Sequence, residues 1–510
     1  MHHMSGLDAS FYLLEDENTP LHVASVVVFE GPAPSYGDLI RQIVARLPLV
    51  PRYRQRVRSV PLHLGRPVWA DDPHFNILYH VRHTAVPAPG TDEQLRNLAG
   101  RVLGQRLDRD KPLWEIWLVE GLAEGRWALI AKVHHCMVDG VAGMDLATVM
   151  FDLSPDYRPP DDPQPWSPAP EPSTLELLAE AARRAVTQPV QQGMDVARGL
   201  GLTRGLAALR DLATPETLRA LTAGPDPAEP GLPAAEPATS REPAGPTGPG
   251  ARRETGAVRR LGAFALGAGR ATARFTRPAA ASLNGPIGPH RRWYWQTVPL
   301  DEAKAVKRSL GGTVNDVVLA AVTAGYRDLL NARGVLTPDT VVRSAVPVSV
   351  REPGGRGVMD NRVAAVFVNL PVGVDDPLER LRRIRTQTDD VKRSEQAAGT
   401  RTLTRLTDAA VAPALLSLAA RVPVRLRQGL VQTVTTNVPG PDFPLYVMGR
   451  RLLELHPYVP LTGGIRVATA VISYCGTLYF GITADFDAMP DLETYAKGAS
   501  AGVAELLALA

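Results

Sequence analysis

The stretch W-A-L-I-A-K-V-H-H-C-M-V-D-G, residues 127–140, decides how this chain is read. Its first seven residues are predominantly apolar and read as a buried strand. The small residues Val141, Ala142 and Gly143 follow, where a helix is expected to begin. His134 and His135 therefore sit at a strand end that opens into a turn, a place where a rigid element aims a side chain. Histidine, with an unperturbed pKa of about 6.5, can accept a proton at neutral pH and return it later. A histidine pair followed after three spacers by Asp139 and Gly140 thus reads as a general-base signature, with His135 or His134 as the base. Asp139 could meet the imidazole or pair with a distant arginine to brace the turn. The brace is favoured, because in a turn nothing forces the two side chains together.

Three other readings of the same residues compete. A buried histidine is often only structural. His and Asp four apart could share a metal ion, but no Cys-x-x-Cys or second histidine cluster supplies further ligands, so no metal is expected. Cys136 could act as a thiol nucleophile. In an extended segment it points away from His135, which favours inert packing.

Working outward, 510 residues suffice for two or three domains, and 45% hydrophobic with 21% charged residues describes a globular chain. A net charge of +3 gives no pull toward nucleic acid. The only cysteines, Cys136 and Cys475, offer no disulfide framework, which suits a reducing compartment. No apolar run approaches the ~20 residues that cross a bilayer, and the opening M-H-H-M-S-G-L-D lacks the apolar core of a signal peptide. The expected location is cytoplasmic, with any membrane contact peripheral. Six lysines stand against fifty arginines, a bias of genome composition rather than of function.

The chain divides into three regions. Over 1–154, strand-like segments at His22–Glu30, Leu113–Leu122 and Trp127–His135 alternate with helical spacing at Tyr36–Leu47 and Met144–Phe151. Over 155–282 lies a crossover and insert. Eight prolines fall within 155–172, and 224–250 holds eight prolines and five glycines, predicting partial disorder. Helix-prone pieces at Thr174–Val186 and Met194–Leu212 lie between. Seven arginines then fall in 252–277 with Leu261, Phe264, Leu266 and Phe275 among them. That segment is either a solvated linker or a surface for anionic lipid. Over 283–510 the mixed pattern resumes, with strands at Trp293–Val298, Val342–Val350, Val363–Val372 and Ala468–Asp485. Helices are expected at Val314–Leu330, Leu378–Lys392 and Leu492–Leu509. The result is an α+β arrangement of two halves. A dinucleotide-binding glycine loop is not supported, since Gly267-Ala268-Gly269 lacks its third glycine and follows no strand.

Six motifs stand in order: M-S-G-L-D-A-S-F (4–11), Pro112-Leu113-Trp114-Glu115, His134–Gly140, L-N-G-P-I-G-P-H-R-R (283–292), Asn315-Asp316, and T-N-V-P-G-P (436–441). Together they resemble the bacterial wax ester synthase/diacylglycerol acyltransferase family, of the chloramphenicol acetyltransferase-like and condensation-domain superfamily. The resemblance spans the chain apart from the insert around 155–255.

It implies two acetyltransferase-like αβ halves with an active-site tunnel at their junction. It makes His135 the general base, His134 its packed support and Asp139 structural, with Gly140 completing the motif. Asn315 and Asp316 would face the site from the second half. Pro112, Leu113 and Trp114 would line the substrate region, although core packing explains Leu113 and Trp114 equally well. Arg351 is a candidate partner for Asp139. The implied reaction transfers a long acyl chain from acyl-CoA, a substrate rather than a cofactor, to diacylglycerol or, secondly, a long-chain alcohol. The expected surroundings are the inner face of the plasma membrane or lipid inclusions. Two alternatives stay open. One is a condensation-type enzyme fed by a carrier protein. The other is a noncatalytic lipid-droplet protein.

Overall fold

The computed structural model describes residues 2–61, 64–137, 151–160, 165–184, 281–349, 363–397 and 431–510. Residues Met1–Ala181 and Thr276–Ala510 form one compact unit; a second, Ala182–Phe275, falls almost wholly outside the described residues. The expected Met194–Leu212 helix, the proline-rich 224–250 stretch and the arginine-rich 252–277 segment all lie outside them, as do Asp139, Gly140, Arg351 and residues 144–150 of the expected Met144–Phe151 helix.

Fifteen strands are seen among the described residues. His2–His3 (β1), Gln55–Arg58 (β3) and Val68–Asp71 (β4) form a small sheet in the order β1-β4-β3. The first large sheet contains His22–Phe29 (β2), Val81–Ala85 (β5), Trp114–Glu120 (β6), Trp127–His134 (β7), Tyr446–Val447 (β12) and Arg450–Tyr458 (β13), in the order β12-β13-β2-β7-β6-β5. The second contains Arg291–Pro299 (β8), Val342–Ser349 (β9), Val363–Leu370 (β10), Thr433–Val438 (β11), Val467–Tyr474 (β14) and Thr477–Asp485 (β15), in the order β10-β9-β11-β14-β15-β8. Parallel and antiparallel pairs occur in both, as an α+β architecture allows.

The division in sequence is not the division in space. Strand β13 comes from the second half yet pairs antiparallel with β2 from Leu452↔Phe29 to Tyr458↔Ala24. Strand β2 is thereby flanked by β13 on one side and β7 on the other. Its sequence H-V-A-S-V-V-V-F suits that central position, since β-branched side chains fill both buried faces of the pleat. Two hydrophobic clusters mix the halves. Tyr474 and Tyr479 join the one around Phe29 and Trp127, and Trp293 and Trp295 join the one around Val26 and Ile130.

Helices Gly6–Leu14 (α1), Tyr36–Arg46 (α2), Ile77–His80 (α3) and Asp92–Gly104 (α4) accompany the first sheet. Leu300–Leu310 (α5), Val314–Ala332 (α6), Pro377–Ala397 (α7) and Leu492–Ala508 (α8) accompany the second. Residues 174–184 are also helical. Helix α6 has thirteen buried residues, from Asp316 to Leu330, so it is enclosed rather than amphipathic. Small residues let it approach α8 closely. A Cβ at Gly325 would lie 2.6 Å from the Tyr495 carbonyl oxygen, and one at Gly502 would lie 2.5 Å from the Ala324 Cβ. No described helix is long and apolar enough to cross a membrane.

The two large sheets approach closely at Gly481 of β15, where a Cβ would stand 1.6 Å from the Pro457 carbonyl oxygen of β13. That contact admits no side chain. Gly481→Ala is expected to cost about 1–3 kcal/mol by overpacking and to lower the midpoint of thermal unfolding. Gly37→Ala, at an exposed helical position with open space around it, is the control and should leave the midpoint level or slightly raised. Equal melting of both variants would show that the strands separate without cost.

Candidate active site

Strand β7 brings the histidine pair to its end by regular pairing. His134 is its last residue, opposite His22 of β2. The His134 N–H donates to the Leu113 carbonyl (2.9 Å), and the His135 N–H donates to the Leu21 carbonyl (2.8 Å). Residues 135–137 then turn, closed by the Met137 N–H on the His134 carbonyl at 2.9 Å. The two imidazoles are thus aimed by backbone bonds to both neighbouring strands' approaches.

Their surroundings differ. The His134 ring is fully buried. Its Nδ1 accepts from the Cys136 N–H at 3.1 Å, which places the ring proton on Nε2. That Nε2 faces Glu15 Oε2 at 3.6 Å, an electrostatic contact rather than a hydrogen bond. With both nitrogens committed, His134 has no lone pair for a substrate proton. His135 is half-buried, and its ring stacks on Phe11 of α1 with centroids 4.2 Å apart and planes at 24°. The arrangement separates a supporting imidazole from one at the turn.

Cys136 is buried, and its burial pushes the thiol pKa well up, so it is held as a packed thiol. Leu113 and Trp114 are also sealed in the core. The Trp114 indole donates to the Tyr53 carbonyl (2.8 Å) and stacks on His80 at 4.6 Å. Of the two readings of this element, packing is the one its geometry matches: Leu113 serves the site through its carbonyl, which holds His134. Pro112, just before it, is buried too.

Asn315 and Asp316 open helix α6. Asp316 forms a capping box with Thr313, its Oδ2 accepting from the Thr313 N–H and hydroxyl at 2.8 Å each. Its Oδ1 accepts from the Thr388 hydroxyl of α7 at 2.8 Å. That carboxylate is spent on architecture. Asn315 Oδ1 accepts from the Asn437 side chain at 3.3 Å, which joins two of the six motifs in space.

Glu15 and Phe11 went unassigned in the sequence reading. Phe11 stood inside a quoted motif with no role. Glu15 lies in the run Glu15-Asp16-Glu17, which has the look of a solvated turn. Nothing local marks Glu15 as one of the least exposed carboxylates, with a side chain only 1% exposed. Burial raises its pKa, while His134, Arg106 and Arg109 lower it; the net shift is downward. Beside this support, Arg82, Arg106 and Arg109 line a cavity of about 450 Å³ together with Tyr79 and Glu115. Among the described residues, no three His, Cys, Asp or Glu side chains gather as a metal site would require.

Known proteins resemble this chain throughout. A family model for the wax ester synthase/diacylglycerol acyltransferase catalytic domain matches residues 4–236 and 249–318, and the model for the WS/DGAT C-terminal domain matches 359–506. The probable diacyglycerol O-acyltransferase tgs1 of Mycobacterium tuberculosis is 35% identical over 511 residues, covering 100% of this chain and 96% of that protein. Among solved structures, the wax ester synthase/diacylglycerol acyltransferase from Marinobacter aquaeolei VT8 superposes with a TM-score of 0.63 at 25% identity, covering 99% of this chain and 98% of that one. The first condensation domain of the calcium-dependent antibiotic synthetase gives 0.57 at 12% identity over 99% and 96%, a likeness of fold.

Three other histidines of the chain are buried with lowered pKa values. His22 is lowered chiefly by burial and then by Lys132; His80 and His456 are lowered by burial against hydrogen bonds that raise them. Each holds fewer protons in the folded chain than in the unfolded chain just below the ordinary value of about 6.5. Stability therefore rises with pH across that window and is lost on acidification. The carboxylates lowered at buried or half-buried positions, Glu15, Glu454 and Asp491, lose their contribution only at lower pH. The unfolding midpoint should fall between pH 7.5 and pH 5.5, and His22→Phe should flatten the slope. A midpoint level across that range would contradict neutral burial of these rings.

Proposed function

The chain belongs to the wax ester synthase/diacylglycerol acyltransferase family, and from that membership we propose that it moves a long acyl group from coenzyme A to the hydroxyl of diacylglycerol, making triacylglycerol. Long-chain alcohols, giving wax esters, are the second acceptor. The single observation that carries the chemistry is the unequal pair: His134 has both nitrogens committed, and His135 stands at the turn. His135 takes the proton of the acceptor hydroxyl as its oxygen attacks the thioester carbonyl. The tetrahedral intermediate collapses, the C–S bond breaks, and the imidazolium returns its proton to the coenzyme A thiolate. No acyl-enzyme is required, in keeping with a Cys136 thiol buried and held protonated. Alignment of two bound substrates supplies much of the remaining acceleration.

Asp139 braces the turn in this reading, and Asn315 with Asp316 organises the facing helix. Arg82, Arg106 and Arg109, which line the cavity beside Asp108 and Glu115, offer guanidinium donors to the phosphates of the acyl-CoA donor. The enzyme meets its lipid acceptor at a membrane or inclusion surface by peripheral contact, to which the arginines of 252–277 contribute.

His135→Ala should lower turnover by roughly 10²–10⁴-fold with an unchanged melting midpoint, measured as thiol release from palmitoyl-CoA with diacylglycerol or hexadecanol. An undiminished rate in that variant would falsify the base assignment. Neutral-lipid product from either acceptor also separates this reading from a carrier-fed condensation enzyme and from a noncatalytic protein. Removing residues 252–277 should weaken partition onto anionic vesicles, most visibly at low salt; unchanged partition would return that segment to a plain linker.

A further inference from the structure

The structure assigns to Glu15 a role beyond packing: it is a positioning residue, whose carboxylate holds both members of the histidine pair in register. The inference rests on His135 being the base. Glu15 stands at the C-cap of α1, the helix that also presents Phe11 to the His135 ring. Its Oε2 faces His134 Nε2 at 3.6 Å and Arg106 at 3.7 Å. Its Oε1 accepts from the Leu21 N–H at 3.4 Å, and the Leu21 carbonyl in turn accepts from the His135 N–H at 2.8 Å. One side chain thus touches His134 directly and reaches His135 through a single intervening residue.

A stability role alone explains this poorly. The Glu15 side chain is 1% exposed, and so is that of His134. Removing a carboxylate from water is costly, and its ion partners here stand at 3.6–3.7 Å rather than at close bidentate range. Among the described residues, Oε2 of Glu15 and Nε2 of His134 have no hydrogen-bond partner in their place. Buried ion pairs of loose geometry add little net stability, whereas they do choose between alternative arrangements. The arrangement chosen here is a tautomer. With negative charge before Nε2, the His134 proton stays on that nitrogen, Nδ1 stays free to accept from Cys136, and the turn bearing His135 keeps its shape.

Glu15→Gln tests this sharply, because an amide cannot accept from both Leu21 and His134; one donor must then face another. The expected result is at least a tenfold loss of kcat with KM for palmitoyl-CoA changed less than twofold. Nitrogen NMR of the His134 ring should show the Nε2–H tautomer in the parent chain and a mixture in the variant. Glu15→Asp, which keeps the charge on a shorter arm, should recover part of the lost kcat. The double variant Glu15→Gln, His135→Ala should be no slower than His135→Ala alone, since Glu15 acts through that ring. Should Glu15→Gln not fold, Glu15→Asp carries the same comparison, with kcat expected to fall and KM to hold. A kcat within twofold of the parent in the folded Gln variant, an unchanged tautomer, or additive losses in the double variant would overturn the proposal while His135→Ala remains inactive. A fully active His135→Ala would instead remove the base assignment itself.

Discussion

Strand β13 belongs to the second half by sequence and to the first sheet by hydrogen bonding, and the rest of the molecule depends on that exchange. Without it, β2 would present a bare edge of Val, Ser and Phe residues to water, a template for unwanted pairing. With it, β2 is central, and β7 on its far side gains a rigid neighbour. The approach of Gly481 in β15 to Pro457 in β13 then brings the second sheet against the first at backbone distance. Sheet packing usually leaves room for side chains between layers. Here one position admits none, so the relation of β13 to β15 is set by sterics rather than by the less directional hydrophobic contacts around it.

The end of β7 shows how polar groups are tolerated in such an interior. Period-two alternation puts Lys132 and His134 on one face. The buried Lys132 ammonium donates to the Val102 and Gln105 carbonyls at 3.2 and 2.9 Å and lies 3.5 Å from Glu115. Those carbonyls lie in the last turn and at the C-cap of α4, where the helix dipole favours a cation. His22, across the ladder from His134, reaches the Leu103 carbonyl of the same helix end at 2.9 Å. One helix terminus thus meets three buried side chains from three strands, since the Tyr458 hydroxyl of β13 also donates to the Leu103 carbonyl at 3.4 Å. Beside it, Glu15 meets His134 from α1. Lys132, His22 and His134 are thus each met by an element distant in sequence.

This layering separates support from chemistry. Trp114, Lys132 and His134 are sealed in and fixed by partners, while His135 alone of the pair retains some exposure. A ring stacked flat on Phe11 keeps its edges, where both nitrogens lie, clear of the stacking partner. An imidazole supported on its face by Phe11 is held in a fixed orientation, which suits the proton transfer proposed for it. Asp316 follows the same economy on the other half: a carboxylate used to cap α6 and tie it to α7 stiffens the helix whose first residues meet Asn437 at the end of β11.

Much of this could be read from the residues alone. Val-rich His22–Phe29 and apolar Trp127–His134 declared themselves as strands, because burial on both faces demands continuous apolar runs. Val314–Ala332 declared itself a helix through its length, and the histidine pair stood out by its chemistry. What could not be read was everything that depends on who lies next to whom. The C-terminal pairing of β13 with β2 joins residues more than four hundred positions apart, and local pattern holds no record of such a partner. Leu113 and Trp114 look alike as wall or as core until the layers above them are placed. Glu15 has the sequence surroundings of a solvated acid, and only the convergence of α1, β7 and Arg106 buries it. Sequence determined which segments are strands or helices and which side chains can move a proton, since those are properties of single residues and short periods. Tertiary structure decided which imidazole is sealed beneath the turn and which is only half-buried on Phe11, since that turns on contacts made only when distant segments meet.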